Sequence, residues 1–166
     1  MKTRSSEGGF TAIELLTVLV IAGILLVLAL PAFNDMLARR RLEGQANEFV
    51  TDLAYAKSEA VQRNRNVAVF VRPANACYTI AAWTTGTGGC DCTATPACTG
   101  GPEQLKTVSL SNGVAVAITA PNDRFDFEPV RGALEPATAA SAALSLGSRS
   151  YTVDVTAYGR VTPFTP

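Results

Sequence analysis

Four cysteines, one acid inside an apolar run, and a few arginines are the residues of this chain that could do chemistry. Cys77, Cys90, Cys92 and Cys98 are the only cysteines. Four thiols can close two disulfides in three ways, or hold a zinc ion as thiolates. The Cys-x-Cys spacing of Cys90 and Cys92 is not the usual Cys-x2-Cys of a zinc site. It also disfavours a direct bond between the two, because a one-residue gap strains the bridge. The disulfide reading therefore joins each of them to Cys77 or Cys98 and pins a glycine-rich loop to the strand near Tyr78. Asp123 and Asp126 flank Arg124, a pattern that reads as a solvated turn and not as paired acid–base chemistry. The chain has no histidine, so the commonest general base and metal ligand are missing. It also lacks a nucleophile elbow and a phosphate loop. The expectation is a non-enzyme with no catalytic residues, no metal and no cofactor.

The remaining chemical feature is Glu14. It follows Phe10 by four residues, and the 19 residues from Leu15 to Phe33 carry no charge. An ionised carboxylate in hydrocarbon costs several kcal/mol, so a partner must answer it. At 1.5 Å per residue, roughly 20 residues span a bilayer core, and the run predicts a transmembrane helix over 10–33. It is too long for the core of a secretory signal, and no small-x-small cut site follows it. The chain is neutral overall, with 14 basic and 14 acidic residues among 166. Lys2, Arg4, Arg39, Arg40 and Arg41 flank the run; beyond them nine basic residues face eleven acids. A slightly acidic soluble part argues against a broad nucleic-acid footprint.

These groups need elements to hold them. Leu42, Ala46, Phe49, Leu53, Ala56 and Ala60 step by alternating fours and threes, a single apolar seam of a helix over 34–65. Val50, Ala54 and Val61 widen it, and Asn64-Arg65-Asn66 marks the exit. From residue 66 the period changes to that of strands. Strands are predicted at Val67–Arg72, Cys77–Trp83, Leu105–Leu110, Val114–Thr119, Arg124–Glu128, Ala143–Leu146 and Ser150–Val155. Asn112-Gly113 predicts a hairpin between the third and fourth. Turns fall at Arg131-Gly132 and near Gly147, and Tyr158–Val161 closes the sheet. The fold class is α+β: a long N-terminal helix packed on an antiparallel β-rich head over 66–166.

Gly9-Phe10-Thr11-Ala12-Ile13-Glu14-Leu15-Leu16 resembles the class III signal of type IV pilins and type II secretion pseudopilins. That resemblance implies a leader over 1–9, cut by prepilin peptidase between Gly9 and Phe10, with N-methylation of Phe10. It implies that Glu14 serves assembly, pairing with the amino group of Phe10 on a neighbouring pilin or pseudopilin subunit. It places the leader inside and the head in the periplasm, a single-pass inner-membrane protein. The loop charges leave this orientation ambiguous, since Lys2 and Arg4 precede the run and Arg39–Arg41 follow it. Arg39–Arg41 then face lipid headgroups, acids on a neighbour, or solvent. Related pilins carry a proline where Pro31 stands, which implies local melting there; simple curvature is the alternative. An oxidising periplasm favours disulfides over zinc thiolates.

The order of elements resembles a narrower group, the H-type minor pseudopilins of type II secretion and the related FimT-like minor pilins. The matching stretches are Ala54–Arg63, Phe125-Asp126-Phe127 with Arg131-Gly132, and Val155 to Gly159-Arg160-Val161. Thr84 to Pro102 matches nothing in that pattern. The implied function is a minor pseudopilin subunit in a short filament for protein secretion across the outer membrane. The alternative is a FimT-like pilin that binds DNA for uptake through Arg149 and Arg160. Such pilins use Gly-Arg-x-Arg, whereas this chain reads Gly159-Arg160-Val161-Thr162 and lacks the second arginine.

Overall fold

Strand and helix boundaries follow the change of hydrophobic period closely. The computed structural model describes residues 11–83, 88–111 and 113–162, the side chains of 28–32 excepted. The leader, the Gly9–Phe10 junction, Asn112, residues 84–87 and Pro163–Pro166 lie outside the described residues, as does the side chain of Pro31. The chain divides into two units, Met1–Ala38 and Arg39–Pro166. One helix, α1 (Ala12–Arg63), contributes to both. It stops where Asn64 takes a left-handed φ of 50°, a conformation that asparagine tolerates better than most residues.

In the larger unit the predicted seam is the buried face of α1. Leu42, Ala46, Phe49, Leu53, Ala56 and Ala60 are all fully buried. Val50 packs against that core in part, but Ala54 and Val61 are exposed and do not widen it. One apolar stripe suffices because the helix meets the core on one side only.

Among the described residues nine strands follow: β1 (Asn66–Arg72), β2 (Cys77–Trp83), β3 (Gly89–Cys90), β4 (Cys98–Thr99), β5 (Glu103–Ser109), β6 (Ala115–Thr119), β7 (Arg124–Phe127), β8 (Ala140–Leu146) and β9 (Arg149–Val155). They form an antiparallel sheet in the order β5-β2-β1-β7, a second in the order β6-β8-β9, and the short ribbon β3-β4. β1 and β2 are central and buried on both faces, which is why their sequences run apolar without alternating. Val67, Val69, Val71, Ile80, Phe125 and Phe127 join the helix seam, while Ala68, Phe70, Ala81 and Trp83 form a second cluster with Cys90. The β6-β8-β9 sheet buries one face only. Ala140, Ala142, Leu144, Tyr151, Val153 and Val155 point inward and alternate with more exposed residues.

The hairpin predicted around Asn112-Gly113 is not formed. β5 pairs with β2 and β6 pairs with β8, so the chain crosses here from one sheet to the other. Gly113 does take the positive φ of a turn, 78°. A turn signal fixes the bend but not the partners of the strands beside it. The turn at Gly132 (φ 64°) and that at Gly147 (φ 62°) fall as predicted. Val161 reaches β9 through a single bridge to Val155.

Candidate assembly and binding sites

Among the described residues of the N-terminal unit, the large apolar side chains of α1 lie uncovered. Between Ile13 and Val27 every large apolar side chain is at least 54% exposed. Contiguous apolar surface on this scale marks a protein or membrane contact. Among the described residues, no helix presents a stretch long and apolar enough to cross a membrane. Glu14 sits in the first turn, where sequence reasoning overlooked its local partner. The Glu14 N–H donates to Thr11 Oγ1 at 3.4 Å, and the Thr11 hydroxyl reaches Glu14 Oε2 at 3.5 Å. This Thr-x-x-Glu pairing resembles a capping box, and the four-residue pattern was the signal for it. An acid here also complements the helix dipole.

The arginines do not gather. Arg39 is bound by Glu43 at 2.8 Å, and this bond holds the Glu43 carboxyl below the usual glutamate range. Tyr151 O–H, from β9, donates to the same carboxylate at 3.2 Å. Arg40 and Arg41 are exposed. Arg149 opens β9, whereas Arg160 lies beyond its other end, beside the Val155–Val161 bridge. At about 3.4 Å per residue the strand separates them by roughly 20 Å. Arg160 is engaged through its backbone, with N–H donating to Thr156 Oγ1 at 3.1 Å.

All four cysteines are bonded, Cys77 to Cys92 and Cys90 to Cys98. Cys77 begins β2, so the first bond ties the β3-β4 ribbon to the central sheet. The ribbon lies over the Phe70–Trp83 cluster, with Cys90 buried in it and Cys98 packed against it. Arg72 Nη2 donates to the Cys90 carbonyl at 3.2 Å and helps hold the flap down.

Two buried acids escaped the sequence reading. Asp52 is 5% exposed within the helix–sheet interface. It accepts from Tyr78 O–H at 2.7 Å and from Lys106 Nζ at 2.7 and 2.8 Å, linking α1 to β2 and β5. Burial, then the neighbouring Asp52, pushes the Tyr78 phenol well above its ordinary range. The Asp52 contact likewise raises Lys106.

The second group corrects the solvated-turn reading of Asp123, Arg124 and Asp126. Asp123 is exposed, but Asp126 is 7% exposed and Arg124 is half-buried. Arg124 Nε donates to Asp126 Oδ2 at 2.6 Å, and its guanidinium lies 4.3 Å from the centre of the Trp83 ring. Burial pushes the Asp126 carboxyl up, against the opposing pull of Arg124. Asp126 Oδ1 and Trp83 Nε1 are both buried; no hydrogen bond of ordinary geometry joins either to a described residue, but the indole N–H acts on the carboxyl and favours its ionised form. Both residues line an open cleft of about 490 Å³ together with Asn66, Asn122, Arg124, Glu135 and Pro136.

A long α-helix whose buried stripe lies on antiparallel sheet, with an exposed apolar N-terminal stretch, defines a pilin-like fold. Solved structures of two minor pilin-type proteins are among those that share this fold. The type IV minor pilin FimU of Pseudomonas aeruginosa is 18% identical, with a TM-score of 0.58 over 77% of this chain and 90% of that one. The minor pseudopilin EpsH from the type II secretion system of Vibrio cholerae is 12% identical, with a TM-score of 0.56 over 76% of this chain and 95% of that one. No curated protein matches the sequence. The sequence profile described as Type II transport protein GspH matches residues 45–159, and the chain belongs to that family.

Proposed function

We propose that this protein is a minor pseudopilin subunit of a type II secretion system, assembled through its N-terminal helix into a short filament anchored in the inner membrane. The observation that carries the reading is the uncovered apolar surface from Ile13 to Val27, joined to a head of the GspH family. Such a surface is stable only against lipid or against like helices. In this reading residues 10–33 form the membrane span, the head stands in the periplasm, and prepilin peptidase cuts between Gly9 and Phe10 and methylates Phe10. Glu14 exchanges its contact with Thr11 for the amino group of Phe10 on a neighbouring subunit.

Intact-mass and N-terminal analysis of protein taken from its native membrane tests the reading. The expected species begins at N-methylated Phe10 and carries two disulfides; a chain that retains Met1 overturns it. A DNA-uptake role is tested by gel shift of the protein at low salt. No shift is expected, because Arg149 and Arg160 lie at opposite ends of one strand and a single phosphate contact gives little affinity.

A further inference from the structure

We propose that Arg40 and Arg41, at the start of the larger unit, bind the anionic headgroups of a phospholipid bilayer, a partner that is at hand only if residues 10–33 span a membrane as proposed above. Charge is divided unevenly along this chain. Arg39, Arg40, Arg41 and Arg149 stand at one end of the head, against Asp35 and Glu43 on the same stretch of α1. Arg149 belongs to this group because Tyr151, two residues along β9, donates to Glu43 Oε1 at 3.2 Å. Two residues of strand cover only about 7 Å. From Leu42 onward, with Arg149 and Glu43 set aside, the balance is the opposite one: eight basic residues against ten acids. A basic end on an otherwise acidic head directs that end towards an anionic surface.

Within the head, Glu43 is already answered. Arg39 Nε holds it at 2.8 Å and Tyr151 O–H at 3.2 Å, while Arg40 acts on it only at longer range. Among the described residues no salt bridge engages Arg40 or Arg41, and both are exposed. Position decides what their charge meets. They follow the charge-free run that ends at Phe33 by seven and eight residues, and one helix carries both. At 1.5 Å per residue this is about 10–12 Å along a helix axis. Headgroups occupy roughly 5–8 Å beyond the hydrocarbon core, so a long arginine side chain reaches back to the phosphates. Its guanidinium fork matches phosphate oxygens two at a time. With the head on the translocated side, arginines this close to a span run against the usual loop-charge bias, and an anionic leaflet supplies the partner that the head lacks. An acid on a neighbouring subunit is the competing partner. The uncovered apolar side chains from Ile13 to Val27, followed on the same helix by a basic band, reproduce the order of a bilayer, hydrocarbon and then phosphate, and favour lipid.

The test uses the full-length protein in non-ionic detergent with equal amounts of phosphatidylglycerol and phosphatidylcholine, read by native mass spectrometry. Each arginine near an anionic surface favours binding about fivefold, so phosphatidylglycerol adducts should exceed phosphatidylcholine adducts at least about tenfold. Added salt should shrink the excess. Arg40→Gln with Arg41→Gln, both at exposed positions, should bring the two lipids to within about threefold of each other. Arg131→Gln, an exposed arginine on the turn after β7, should leave the excess unchanged. Equal adducts in the wild type, an excess that survives the paired substitution, or the same fall in Arg131→Gln would overturn the proposal. Displacement of the lipid by millimolar glycerol phosphate would assign the arginines to soluble anions. Lipid-free dimers that the paired substitution abolishes would assign them to acids of a second copy. Either result overturns the lipid assignment. Alkaline carbonate extraction of native membranes keeps the two readings apart. Protein released to the supernatant has no span and defeats the proposed function, whereas retained protein without lipid preference defeats the headgroup assignment alone.

Discussion

Asp52 makes a sharp test of the helix–sheet interface, because its two partners respond differently to its loss. Tyr78→Phe removes the 2.7 Å bond but leaves Lys106 in place. A hydrogen bond to a charged group is worth about 1.5–3 kcal/mol, so a loss near 2 kcal/mol is expected. Asp52→Ala is worse. It strands the fully buried Tyr78 hydroxyl, for about 1–3 kcal/mol. It also removes the Lys106 contact, which is discounted to at most about 1 kcal/mol because the Lys106 side chain is 38% exposed and water replaces the partner. The total is about 3 kcal/mol. In the double variant no hydroxyl is stranded and no acid is left short of a donor, so the combined loss should be about 2 kcal/mol. The cycle then falls 2–3 kcal/mol short of additivity, the upper range for groups in contact. Urea unfolding of the Arg39–Pro166 unit, followed by Trp83 fluorescence, measures all four corners, with slopes expected to stay constant. Single losses that add to within about 0.5 kcal/mol would refute the coupling.

The same pair predicts an alkaline limit. Folding raises the Tyr78 and Lys106 pKa values, so the native state holds protons that the unfolded chain releases above pH ~10. Their stabilisation, complete below that point, is lost as pH rises, by up to about 1.4 kcal/mol per pH unit for the buried Tyr78 and by much less for Lys106, whose contact is screened by water. Tyrosinate absorbance of Tyr78 should appear only with unfolding. Opening the Cys77–Cys92 bond, with a separation of 15 residues, by Cys77→Ser with Cys92→Ser should cost about 3 kcal/mol more in oxidised than in reduced protein, where only the new hydroxyl at the buried Cys77 position is felt, as read by thermal melts with and without reductant. Gly159→Ala should destabilise the head by several kcal/mol, because Gly159 has a φ of 69° and a Cβ there would overlap the Gly132 carbonyl oxygen. Retention of the wild-type melting temperature would contradict that packing.

The seam from Leu42 to Ala60 was legible because a helix buried on one side writes its burial directly into spacing. β1 and β2 were legible because strands covered on both faces are apolar throughout. What escaped shares one cause, dependence on residues far away in the chain. Asn112-Gly113 announced a turn, but the partner of β5 is β2, set by residues some thirty positions earlier. Asp52 looked like one more polar residue beside the seam, since its partners are 26 and 54 positions on. Arg124-Phe125-Asp126-Phe127 alternates like a half-exposed strand. The face carrying Arg124 and Asp126 is nonetheless largely covered, beside a flap whose sequence has no period to read. The cysteines limited their own pairing because Cys90 and Cys92 stand too close to bond, but choosing between Cys77 and Cys98 required the fold.

The central sheet has two coverings that cannot mature together. Its helix side closes by apolar packing and the Asp52 hydrogen bonds, and needs no oxidant. The other side is clamped by two sulfur–sulfur bonds, which require oxidising surroundings. Reduction of the two bonds would therefore leave the helix layer closed while laying the Trp83 side open to proteases.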